Sequence, residues 1–154
     1  MLTSRVPAAV DALLATLRAA PGLAGVRIVD GPTAVNVTDR DLIFVGWQPT
    51  AEAAVSLNQS FASAGARTRD EAFDISCYAE SRAGDKDMAL RRARVFAMVG
   101  EVEAALRATD AAPTAPTLNG AVLWSELTVG SLAQFQAEGA MAGLAFTVAC
   151  RARI

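Results

Sequence analysis

At 154 residues, with 53% hydrophobic and 19% charged side chains, the chain suits one packed domain that buries about two-thirds of its unfolded surface, and it is too apolar for a disordered polymer. Its net charge of −2, with no basic run, shows none of the salt-dependent phosphate grip of a nucleic-acid binder. Histidine is absent, which removes the commonest general base, the Ser-His and Cys-His dyads and most catalytic zinc sites.

Thirteen of the 14 basic residues are arginine and 34 residues are alanine, a bias that points to a GC-rich genome rather than to arginine chemistry. No apolar run reaches the roughly 20 residues of a membrane span. Arg5, Asp11 and Arg18 interrupt the start of the chain, so no secretory h-region is visible and folding in the cytosol is expected.

Residues 5–20 read as a helix with an apolar stripe of Val6, Val10, Leu13, Leu14 and Leu17. Ser4 can cap it, Pro7 fits the first turn and Pro21-Gly22 ends it. A short strand at 26–29 and a turn at 30–32 follow. Residues 42–47 form a second strand, nearly all apolar, as for one buried on both faces. Gly46-Trp47 at its end closes the core edge or anchors a subunit contact.

Residues 48–70 break the pattern, with Val55, Leu57 and Phe61 as the only apolar anchors. A connection this long is uncommon in a compact domain, and it reads as a plain loop or as an arm onto a neighbouring subunit. Residues 71–82 alternate strictly, predicting a core face of Phe73, Ile75, Cys77 and Ala79 and a wet, acidic face of Asp74, Ser76, Tyr78 and Glu80.

The longest helix is predicted over 86–108, with Asp85 as cap, Asp87 in the first turn and a stripe of Met88, Val95, Val99, Val102 and Leu106. Gly100 within it suggests a close approach to the sheet. A proline-containing loop at 109–117 leads to strand candidates at 121–128, 132–138 (the weakest) and 142–154, with Gly139 and Gly143 bracketing the last turn. The predicted order is α-β-β-β-α-β-β-β. Two helices on one face of a mainly antiparallel sheet, an α+β single domain over 1–154, bury these faces most economically.

Chemical motifs are sparse. Cys77 and Cys150 lie 73 residues apart on apolar faces and read as reduced core residues, not as a redox or metal pair. Asp39/Asp41 and Asp85/Asp87 are carboxylate pairs of a kind that binds a hard cation, but neither has a calcium-loop ligand ladder; a solvated turn explains the first and capping the second. No phosphate loop, dinucleotide fingerprint or Gly-x-Ser-x-Gly elbow occurs. The expectation is therefore no catalytic residue, no metal site and no cofactor.

As an ensemble, "GVRIVDGP", "DLIFVGW", "FDISCYAES" running through "GDKD" into the long helix, "TLNGAVLWSELTVGSL" and "GLAFTVACRARI" resemble small tail-terminator or tail-completion proteins of long-tailed phages and prophages. The resemblance covers most of the chain, though no single piece is a chemical motif. It implies a homo-oligomeric ring, typically a hexamer, that caps the head-proximal end of the tail tube, stops its polymerisation and joins it to the head connector. It implies as partners other copies of the chain, the major tail tube protein and the head-tail connector protein, with DNA passing through without specific binding and no membrane contact. The expected location is the virion tail, assembled in the bacterial cytoplasm. A head-tail stopper or adaptor is the neighbouring alternative, and a carboxylate-based metal enzyme the distant one. Subunit-interface candidates are Trp47, Val55, Leu57, Phe61 and Trp124; candidates for the wall facing DNA are Asp74 and Glu80.

Overall fold

A computed structural model describes residues 2–33, 40–136 and 138–154. Helix α1 (Val6–Ala19) buries Ala9, Leu13, Leu14 and Leu17 on one stripe. The Ser4 hydroxyl accepts the Val6 N–H at 3.0 Å, and the chain leaves the helix through a 3-10 turn at Pro21–Leu23. Strands β1 (Arg27–Asp30), β2 (Asp41–Val45), β3 (Val55–Phe61) and β4 (Arg69–Arg82) follow, then helix α2 (Met88–Ala105) and strands β5 (Trp124–Gln136) and β6 (Ala140–Arg153).

The centre of the sheet is the long antiparallel pair β4–β6, in register from Asp70↔Arg153 to Arg82↔Met141. On the far side of β4, β2 and β3 lie end to end: β2 pairs with residues 77–81 and β3 with residues 69–75. Strand β1 adds to β2 in parallel, and β5 adds to β6 antiparallel. The fold is α+β, two helices over a mixed and mainly antiparallel six-stranded sheet.

Helices cover one face only, and there the main core sits. Phe146, Ile75, Leu144, Val148, Leu13, Leu17 and Met98 are all but sealed from solvent. Burying each such side chain contributes about 1.5–3 kcal/mol. The inward set expected for 71–82 and the set Leu144, Phe146, Val148 and Cys150 expected for the closing strand both lie in this core. Strand β2 is buried on both faces as its composition predicts, because Leu42 and Phe44 meet Tyr78, Ala145 and Trp47 in a second cluster on the helix-free face.

That second cluster corrects the expected wet, acidic outer face of 71–82. Tyr78 is buried, Glu80 is half-buried, and only Asp74 is fully open. The segment 48–70 also differs from its reading as a loop or arm. Val55, Leu57, Gln59 and Phe61 alternate with Ser56, Asn58 and Ser60, and main-chain pairing with β4 makes them a strand. Its composition looks like a loop because one of its edges and much of both its faces meet solvent.

Residues 121–138, expected to hold two strands, supply one, β5, with an irregularity between Val129 and Leu132. The extra residue there shifts the phase of the alternation, so the halves read as separate segments. In α2 the cap is Asp87, whose carboxylate accepts the Leu90 N–H at 3.0 Å; Asp85 lies outside the helix. Gly100 faces solvent, with no neighbour near the position of a Cβ, so the expected close approach to the sheet does not occur there. Close approach is instead the role of Gly143 in β6, where a Cβ would collide with the Tyr78 ring. No helix among the described residues is long and apolar enough to cross a membrane.

Candidate assembly surfaces

Exposed large apolar side chains concentrate at two opposite margins of the sheet. At the β3 margin, Leu57 is 51% and Phe61 67% exposed. Both lie on the helix-bearing side of the sheet, because they pair with Phe73 and Arg69 in the same alternation as Val55 with Ile75. Leu2, Arg5, Phe61, Arg67, Arg69 and Ile154 line an open apolar hollow there.

A buried carboxylate holds this margin in shape. Glu71 of β4 is 1% exposed and accepts the Arg5 N–H at 2.8 Å, at the start of α1. It also accepts from the Gln59 side-chain amide of β3. That amide donates to the Thr3 carbonyl at 2.8 Å, and Arg69 donates to the Gln59 oxygen at 3.2 Å. A negative group beside the positive end of α1 is electrostatically favourable, and the shared hydrogen bonds tie α1, β3 and β4 together.

At the β5 margin, Val129 (46% exposed), Leu132, Phe135 and Trp124 are open to solvent. Val129 and Leu132 share the helix-bearing side, since their partners are the core residues Phe146 and Leu144. Arg92 of α2 donates to Gln134 at 2.8 Å, which sets that flank of the helix over β5; Phe96, one turn on, is also exposed. Trp124 and Phe135 fall on the opposite, helix-free side.

The five interface candidates from the sequence therefore divide. Leu57, Phe61 and Trp124 are exposed at the margins, and Val55 is half-buried against the core. Trp47 stands apart: its ring packs edge-on to Phe44 at 5.1 Å and to Tyr78 at 5.8 Å. Val129, Leu132 and Phe135 were not singled out by sequence, because the bulge disguised the strand that carries them. The usable signal was a run of 13 residues containing Glu126 as its only charge and no proline.

Of the two wall candidates, Asp74 is exposed on the helix-free face beside Ser56, Ala149 and Arg151. Burial pushes the Glu80 carboxyl above its ordinary range, and Arg82 at 4.0 Å partly offsets this.

A polar network clamps the start of α2 to the sheet. Asp41 accepts the Ser81 hydroxyl at 2.7 Å and Arg94 Nε at 2.9 Å, while buried Arg91 donates to Ser81 at 2.9 Å and faces Asp85 at 3.6 Å. Asp41 is thus occupied by hydrogen bonds, and Asp39 lies outside the described residues. Among the described residues no group of three or more metal-ligating side chains converges. Burial pushes the Cys77 and Cys150 thiols up to about 12.

A comparison with models of known protein families finds no match, and neither does one with curated proteins.

Proposed function

We propose that this chain is a structural, ring-forming component of a phage-type tail, acting at the head-proximal end to stop tube growth and join the tail to the head connector. The reading starts from the resemblance carried by the sequence segments. The observation that supports it best is the placement of exposed apolar side chains at two opposite sheet margins. Open strand edges bearing such residues are a liability in a free monomer and an asset in an assembly. Two different margins on one subunit suit head-to-tail contacts, which close into a ring when the rotation divides a full turn. The partners on this reading are other copies of the chain, the tube protein and the connector, and the place of action is the virion tail.

The test is imaging of particles assembled without the chain. Tubes of uncontrolled length that fail to join heads are expected. Tubes of normal length that join heads would end the proposal. Purified DNA-free tails should carry the chain; finding it only on filled heads would make it a stopper.

A further inference from the structure

We infer that successive copies of this chain join edge to edge, the free edge of β5 in one copy pairing antiparallel with the free edge of β3 in the next. Across the lower half of the sheet the strands run in the order β3, β4, β6, β5, and each neighbouring pair is antiparallel. The outermost two therefore point in opposite directions. A copy added by rotation about an axis along the strands brings β5 and β3 together antiparallel, and the alternation continues without a break.

Face and side chain agree with direction. Pairing shifts in steps of two residues if the faces are to be kept. The register that sets Val129 across from Leu57 places exposed apolar residues side by side on the helix-bearing face, with Leu132 reaching Val55 across the bulge. The same register sets Glu126 beside Ser60, both on the helix-free face. The two free edges of this one chain match each other in strand direction and in apolar face, which favours a second copy in this orientation over any other occupant. A two-fold contact of β5 with β5 would leave Leu57 and Phe61 open, and β3 with β3 would leave Val129 and Leu132 open. The head-to-tail arrangement covers both margins with a single kind of contact, and it supplies the ring contact of the proposed function, resting on that reading for its purpose alone.

Two single variants, Val129→Cys and Leu57→Cys, test the contact in the full chain. Both positions are exposed, so the fold is retained, and the native cysteines are buried. Mixed under mild oxidation, the two variants should form a disulfide-linked heterodimer that neither forms alone. Homodimers from either variant alone, or no covalent product from the mixture, overturn the inference. Tail imaging reads a separate question: a heterodimer from a chain whose loss leaves tails normal keeps the contact and removes the tail role.

Discussion

Phe146 is fully buried at the middle of the central strand pair, opposite Cys77 on β4 and Val129 on β5. Three strands and the helix layer fix its surroundings, so little can collapse into the space it leaves. Phe146→Ala should cost about 3–5 kcal/mol, measured by denaturant unfolding. A loss below about 1 kcal/mol would place the ring outside the core. The two cysteines flank the same region and are sealed from solvent. With thiols pushed up to about 12, only about one in ten thousand is thiolate at pH 8, and the reagent cannot reach it. Labelling of the native protein by a thiol reagent should therefore proceed at the rate of unfolding. Prompt labelling of either cysteine would contradict the packing of β4 and β6.

Helix α2 carries a defect whose cost is separable from its packing. Gly100 sits at an exposed helical position with open space where a Cβ would stand. Gly100→Ala should raise stability by about 0.5–1 kcal/mol, seen as a higher denaturant midpoint with an unchanged slope. A destabilised variant would mean that the position is in contact with something. The elements legible in the sequence were those whose two faces differ strongly or not at all. The 71–82 alternation marked β4, the apolar run 42–47 marked β2, and the heptad-like stripe marked α2. Strand β3 was hidden because its pairing is with main chain on one edge and its outward face is Ser, Asn and Ser. Strand β5 reads in the sequence as two strands, 121–128 and 132–138, because its own bulge shifts the alternation. Among the candidate site residues, exposed Leu57, Phe61 and Trp124 were legible as apolar residues in polar surroundings. Val129, Leu132 and Phe135 read as ordinary strand interior, because a sequence does not say which strand is the last in its sheet. Arg91 shows the same limit from the polar side: nothing local distinguishes it from exposed Arg92, yet it is buried against Ser81.

At the scale of the whole molecule the sheet has one helix-covered face and one face only half covered. The second apolar cluster occupies the β2 end of that face, and the β3 end stays open with small and polar residues around Asp74. If copies join along β5 and β3, these open patches form a continuous surface on one side of the ring, and the helices form the other. A wall along a DNA path must not hold phosphates, because each cation neutralising a phosphate releases counterions and adds salt-dependent affinity. The charges near the open patch are nearly balanced: Arg153 donates to Asp70 at 2.7 Å, and exposed Asp74 stands near Arg151. Asp74→Arg removes that balance once per subunit at an exposed position outside both cores, so the chain should fold and assemble as before. Tails of normal length should still join heads, while DNA release from the particle should slow, and more so at low salt. Release that is unchanged at every salt concentration would place the patch on the outside of the ring and put the helices toward the channel, leaving the edge contact intact.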